Sequence, residues 1–392
     1  MDIKKTLASR TSNMGENAIR EILKVVSKDG MISLAGGIPS PESFPLEIIK
    51  ELSQKILNDY GSQALQYGLT EGYEPLRQIL SEHIGASGIE CSKEDIVITS
   101  GSQGALDSIA KILISKGDKI AVEAPTYLGA ISAFNPYEPE FITIETDENG
   151  IIPESLERVI KKNDLKFIYL VPTFQNPTGR TLPLERRKAV ADLIKKYNLL
   201  LLEDDPYSAL RYEGVDLPPI KSIAPDNTIY IGTLSKILSP GLRVGFIIAP
   251  KTIRHWSVVA KQGVDLHTGS FSQFIAYEYI KGGYFQKHLP YILDLYKPRK
   301  DAMLNALSEY FPGNYKWSKP AGGMFIWVEG PEEIDTEKLY HKAIKKNVAF
   351  VPGNFFYTDN MGASTMRLNF TMSRPDEITV GIKRLAELIG NL

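Results

Sequence analysis

"FIYLVPTFQNPTGRTLPLERRKAVADLIKKYNLLLLEDD" spans residues 167–205. Its ends, "FIYLVP" (167–172) and "LLLLED" (199–204), are apolar at consecutive positions, the pattern of strands covered on both faces. Between them "LERRKAVADLIKKYN" (184–198) has a helical texture. Strand, helix and strand in that order predict a parallel pair joined by a crossover helix, and therefore an α/β sheet.

Working outward, five more runs have the same character: "DIVIT" (95–99), "DKIAVE" (118–123), "FITIE" (141–145), "NTIYIGT" (227–233) and "RVGFIIA" (243–249). A mostly parallel seven-stranded sheet is expected. Only nine residues separate the last two runs, too few for a comfortable crossover helix, so the last is expected as an antiparallel edge strand. From about residue 284 the texture changes. A long helical stretch, interrupted near Pro290 and Pro298, precedes "GGMFIWVE" (322–329), a helix near 336–346 and "TMRLNFT" (365–371). The chain is read as an N-terminal arm (1–45) with an amphipathic helix, "ENAIREILKVVSKDG" (16–30), a large domain (46–285) and a smaller α+β domain (286–392).

With 392 residues, more than one core is expected. Charged residues make up 23% and the formal net charge is −2, without the clustered basic excess of a nucleic-acid binder. No apolar run approaches a membrane span, and the first residues lack the apolar stretch of a secretory leader. Cys91 is the single cysteine, which suits a reducing cytoplasm. The five histidines show no metal-ligand spacing, so no metal is expected.

Open α/β sheets bind ligands at the carboxyl ends of their strands. After "DIVIT" comes a Gly/Ser turn opening a helix, with Gly101, Ser102, Gln103 and Gly104; after "AVE" comes Tyr127; after "FIYLVP" comes Asn176. Asp204 and Tyr207 leave the next strand, and Thr233, Ser235 and Lys236 follow "TIYIG", with Arg243 seven positions on. Taken singly, each has a structural reading: a plain strand–helix turn, a packed aromatic, Asn-Pro turn chemistry. Taken as one pocket, they match one kind of ligand. A phosphate would sit on the 101–104 turn beside Thr233, Ser235 and Arg243. A flat ring would lie under Tyr127, with a basic ring nitrogen facing Asp204 and a phenolate oxygen meeting Tyr207 and Asn176. Lys236, kept neutral by burial among cations, would join an aldehyde. That inventory describes pyridoxal 5′-phosphate.

The motifs "GSQGALD", "PTYLGA", "FQNPTGRTL", "EDDPY", "TLSKILSPGLRVG" and "MRLNF" resemble those of the fold-type I, pyridoxal-phosphate-dependent aminotransferases of class I/II, over essentially the whole chain. The resemblance implies Lys236 as the residue that binds the cofactor's aldehyde and Asp204 as the partner of its ring nitrogen. It implies Arg367 as the clamp on the substrate's α-carboxylate, a bidentate task suited to arginine, with Asn176 beside it. Tyr67, in "LQYGLTEGYEPLR", would reach the site of a neighbouring subunit, so a homodimer is expected.

"ENAIREILK", "ISLAGGIPSPESFP" and "VDLHTGSFSQ" are most similar to the 2-aminoadipate and kynurenine aminotransferase group. In that group the backbone at Gly37 approaches the substrate, and an arginine matching Arg20 can meet a distal carboxylate. The helix pattern around Arg20 suits a solvated side chain equally well. The implied reaction moves an amino group from an L-amino acid to a 2-oxo acid, commonly 2-oxoglutarate, with 2-aminoadipate-type or broader donors including aromatic and branched ones. A β-lyase or decarboxylase would use the same cofactor residues. A non-enzymatic regulator would need a DNA-binding module ahead of residue 17.

Overall fold

The computed structural model describes residues 3–14, 30–359 and 361–390. The helix expected in the arm, and Arg20 with it, lies outside them.

The seven runs form one sheet: β1 (Ile96–Ser100), β2 (Lys119–Glu123), β3 (Glu140–Ile144), β4 (Leu165–Leu170), β5 (Leu201–Asp205), β6 (Thr228–Thr233) and β7 (Val244–Ile248). Their order is β1-β7-β6-β5-β4-β2-β3, and every pairing is parallel except those of β7. The consecutive apolar positions have a direct structural meaning. Phe167, Tyr169 and Val171 enter one core, while Ile168 and Leu170 enter the other. Helices Pro153–Lys162 and Leu184–Lys196 cover the second face, contributing Leu156, Ile160, Val190, Ala191 and Ile194.

Strand β7 is antiparallel, but it is not an edge. It pairs with β6 on one side and β1 on the other. The short connection from β6 forces the chain to turn straight back, and β1 then covers the exposed flank, leaving β1 and β3 as the edges. One consequence positions the site. Because β7 runs against its neighbours, its beginning, at Arg243, lies beside the carboxyl ends of β1 and β6, with Val244 opposite Ser100 and Gly245 opposite Thr233.

The expected break at Pro290 and Pro298 does not occur, since one helix runs from Tyr284 to Tyr310. Both prolines are exposed. The carbonyls they leave without N–H donors belong to Gln286 and Asp294, which are exposed as well. Buried Ile292, Tyr296, Met303 and Leu307 hold the other side of the helix in the core.

The smaller sheet is antiparallel, built from β8 (Lys316–Trp317), β9 (Phe325–Glu329), β10 (Val351–Pro352) and β11 (Thr365–Asn369) in the order β8-β9-β11-β10. Residues from the arm join this unit. Ile32–Ser33 pairs in parallel with Val348–Ala349, and Asn369 N donates to the Leu34 carbonyl. The strap that follows is tied down by Ser40 N donating to Tyr296 Oη (2.9 Å) and Thr371 Oγ1 donating to the Ile38 carbonyl (2.9 Å). Among the described residues, no helix is long and apolar enough to cross a membrane.

Gly245 is where β7 touches the helix Gly101–Leu113. A Cβ there would lie 2.6 Å from Gly101 C and 2.8 Å from Ser102 N, both backbone atoms that cannot swing aside. Gly245→Ala is therefore expected to cost about 1–3 kcal/mol through overpacking, read as a lower melting temperature of the cofactor-free protein. An unchanged melting temperature would mean that the helix start is free to move.

Candidate active site

The strand ends converge as the topology requires. Lys236 lies three residues beyond β6, in a turn closed by Leu234 N donating to the Val244 carbonyl (3.0 Å) and Leu238 N donating to the Leu234 carbonyl (2.9 Å). The Thr233 hydroxyl lies 2.9 Å from Ser235 Oγ, and Ser235 N donates back to Thr233 Oγ1 (3.2 Å). Lys236 Nζ donates to the Gly37 carbonyl (3.1 Å) and stands 5.9 Å from the centre of the Tyr207 ring. Desolvation, then the charges of Arg367 and Arg243, lower its pKa to about 8 against the opposing pull of Asp204.

Asp204 is 1% exposed. Its Oδ2 accepts from Tyr169 Oη (2.9 Å), while Oδ1 is buried with no partner. Burial pushes its carboxyl up to about 7, opposed by the Tyr169 hydrogen bond. Tyr207 is buried on the following loop, and burial pushes its hydroxyl well up. Asn176 Nδ2 donates to Tyr207 Oη (3.3 Å).

Arg367, on β11, reaches the same place from the smaller sheet. Nη1 donates to Asn176 Oδ1 (2.8 Å) and Nη2 to the Ala35 carbonyl (2.8 Å), and Nε is buried without a partner. The guanidinium lies between the rings of Phe325 (4.4 Å) and Phe356 (5.0 Å). Burial lowers its pKa to about 10, which leaves it charged at neutral pH. Gly37 is adjacent: a Cβ there would sit 3.6 Å from Arg367 Nη2.

At the other end, residues 101–104 are the first turn of the helix Gly101–Leu113, whose opening N–H groups lack intrahelical partners. Gly101 adopts φ +74°, and a side chain there would collide with the Arg243 guanidinium. Arg243 is exposed and donates to the Ser100 carbonyl (3.1 Å); Gln103, also exposed, donates to the Gly129 carbonyl (2.8 Å). Half-buried Tyr127 precedes the helix Leu128–Phe134, and burial pushes its hydroxyl up to about 12.

Tyr67 does not join this cluster. It is 78% exposed and packs edge-on against His267 (5.6 Å). A cleft of about 1270 Å³ between the two units, lined by Asp147, Arg180, Trp317, Lys319 and Glu329 among others, contains none of these residues.

Several supporting groups escaped the reading of the sequence. Gln175 braces the Asn176 loop, donating to the Pro125 carbonyl (2.9 Å) and accepting from Thr178 N (2.8 Å) and Oγ1 (2.7 Å). Glu123 accepts from Val171 N (3.0 Å), and burial pushes its carboxyl up to about 8. Asp265 accepts from Ser100 Oγ (2.5 Å) and Lys261 Nζ (2.6 Å) behind the helix start. A polar residue inside an apolar strand was the available signal for Glu123; the Ala35 and Gly37 carbonyls have none.

The model of the family described as "Aminotransferase class I and II" matches residues 29–385. The chain belongs to that family. It is 48% identical to aromatic-amino-acid aminotransferase 1 of Thermococcus litoralis, covering 99% of this chain and 95% of the relative. It is 40% identical to the 2-aminoadipate transaminase of Thermus thermophilus, covering 96% and 94%. The solved structure of Pyrococcus horikoshii kynurenine aminotransferase in complex with PMP superposes with a TM-score of 0.96 at 46% identity, covering 100% of this chain and 98% of that one. This aminotransferase has the fold-type I architecture and depends on pyridoxal phosphate.

Its residues fit that cofactor. Asp204 Oδ1 is buried without a partner and suits a cationic N–H, the opening amides of the helix at 101–104 and Arg243 suit an anion, and Lys236 is an amine of lowered basicity. The sign of the Lys236 shift is testable. An amine whose pKa falls on folding holds its proton less tightly in the folded chain, so folding gains stability as pH rises from about 8 toward the ordinary 10.5. Covalent capture of pyridoxal by the cofactor-free aminotransferase should accelerate with an inflection near 8. An inflection near 10.5 would contradict the geometry.

Proposed function

We propose that this enzyme transfers the amino group of L-amino acids, aromatic and 2-aminoadipate-type donors included, to a 2-oxo acid, most often 2-oxoglutarate. The reading is carried by one observation. A half-buried lysine of lowered pKa and a buried aspartate with an unpartnered oxygen stand at the carboxyl ends of adjacent strands, across from a buried arginine. The breadth of donors is supported by the names of the relatives, which span aromatic, 2-aminoadipate and kynurenine substrates.

Pyridoxal 5′-phosphate, when bound, supplies an aldehyde that takes up the amino group and a protonated ring that delocalises charge developing at the donor's Cα. The chain's residues do the rest. The amides of Gly101, Ser102, Gln103 and Gly104, with Thr233, Ser235 and Arg243, would hold the phosphate. Tyr127 would cover the ring, Asp204 would keep its nitrogen protonated, and Tyr207 and Asn176 would hydrogen-bond its phenolate oxygen. Arg367 grips the α-carboxylate through paired N–H groups, with Asn176 and the Gly37 backbone beside it. That grip points the Cα–H toward Lys236, whose Nζ accepts the proton and returns it on the opposite half-reaction.

We assign the active unit as a homodimer, with Tyr67 of each subunit reaching the other's phosphate site. Its exposure, together with that of neighbouring Leu65 and Leu69, supports this: three large apolar side chains in five residues form a patch suited to a partner surface. A three-part division (arm 1–45, large domain 46–285, small domain 286–392) and a cytoplasmic location complete the proposal, the latter supported by the single cysteine. We place Arg20 at the distal carboxylate of acidic donors.

Lys236→Ala should abolish turnover; an active Lys236→Ala enzyme would overturn the assignment. With 2-oxoglutarate as acceptor, Arg20→Ala should lower kcat/KM for 2-aminoadipate by roughly tenfold or more, the worth of a charge-assisted hydrogen bond, while leucine stays within about twofold. Equal losses for both donors would remove Arg20 from the site.

A further inference from the structure

Tyr169 lies on β4 with its hydroxyl inside the protein, fully buried. It stands opposite Leu202 of β5, so Asp204, two residues further on, projects from the same face. Its hydroxyl donates to Asp204 Oδ2 at 2.9 Å, the one hydrogen bond that carboxylate receives among the described residues. The bland reading is that Tyr169 fills the core, edge-on to Phe134 at 5.7 Å. Phe167, two positions earlier on the same face, packs edge-on to the same ring at 5.6 Å and needs no hydroxyl to do so.

We propose that Tyr169 is a positioning residue for Asp204: its hydroxyl holds Oδ2, so that Oδ1 is the oxygen offered to the cofactor's ring nitrogen and the carboxyl stays ionised. This rests on the assignment of Asp204 to that nitrogen made above. A carboxylate anchored at one oxygen cannot turn the other away, and a tyrosine whose own proton is held firmly by burial acts toward it only as a donor. Hydrogen bonding to the charged form favours it, opposing the burial that favours the acid. The other ionisable groups acting around Asp204 do not replace this bond. Asp205 opposes ionisation, and Lys236 favours it only while protonated. Tyr127, Tyr207 and Tyr230 are neutral, with pKa values raised by burial.

The test uses cofactor-free protein and pyridoxamine 5′-phosphate as the probe, with binding followed by calorimetry from about pH 6 to about pH 9. Wild type, Tyr169→Phe, Asp204→Asn and the double variant form a cycle. Tyr169→Phe should bind roughly tenfold more weakly near neutral pH. Affinity that depends on an ionised Asp204 is lost as pH falls through its pKa, and removing the hydrogen bond raises that pKa. The low-pH limb should therefore move up by about one unit. In the Asp204→Asn background the same substitution should change affinity by less than about twofold. An unchanged affinity and limb in Tyr169→Phe, or an equal loss in both backgrounds, would overturn the proposal; the equal loss would leave Tyr169 as packing alone. If Asp204→Asn itself binds like wild type, the fault lies with the assignment of Asp204, and the role of Tyr169 falls with it. Melting temperatures of the four cofactor-free proteins separate a folding defect from a lost contact.

Discussion

Arg367 and Asp204 are both removed from water, and neither has an oppositely charged side chain within salt-bridge distance among the described residues. An unpaired buried ion costs several kcal/mol, and no nearby apolar packing removes that cost. What the fold supplies instead is partial compensation by neutral dipoles and aromatic faces. Arg367 has an amide oxygen, a backbone carbonyl and two phenyl rings; Asp204 has one phenol. Each retains one unsatisfied atom, Nε of Arg367 and Oδ1 of Asp204. Folding thus holds two charges under tension that ligands of opposite sign relieve, which is the sense in which such a site is organised before anything binds.

The rest of the architecture serves to keep those charges in place. Asn176 accepts from Arg367 and donates to Tyr207, so one amide links the small sheet to the loop beyond β5. Its own position follows from Gln175 and Thr178, which close the turn around it. The strap from the arm contributes only carbonyls here, Ala35 to Arg367 and Gly37 to Lys236. Backbone groups can do this wherever the strap is anchored, and Tyr296 and Thr371 anchor it on the small unit.

Much of this was legible in the chain itself, for identifiable reasons. Runs such as "FIYLVP" announce strands because alternate residues enter different cores, and the strand-end residues were found because parallel strands expose their carboxyl ends together. What could not be read has equally physical causes. The interior placement of β7 depends on β1, which is more than a hundred residues distant and carries no local mark of the pairing. The uninterrupted helix through Pro290 and Pro298 depends on which side of it faces water. The hydroxyl of Tyr169 was hidden in plain sight, since tyrosine is an ordinary strand residue until its partner is known.

The reversal at β7 reaches further than topology. Lys236 and Arg243 belong to one connection between antiparallel neighbours, whose two ends are pinned by the ladder of β6 against β7. Most surface loops absorb inserted or deleted residues at small cost, since lengthening a flexible segment changes its closure entropy slowly. This connection has no such slack: any change in its length moves an amine and a guanidinium together, relative to a sheet that cannot follow. Insertions and deletions should therefore be tolerated in loops on the outer faces and not in the β6–β7 turn, where they would displace the amine and the guanidinium at once.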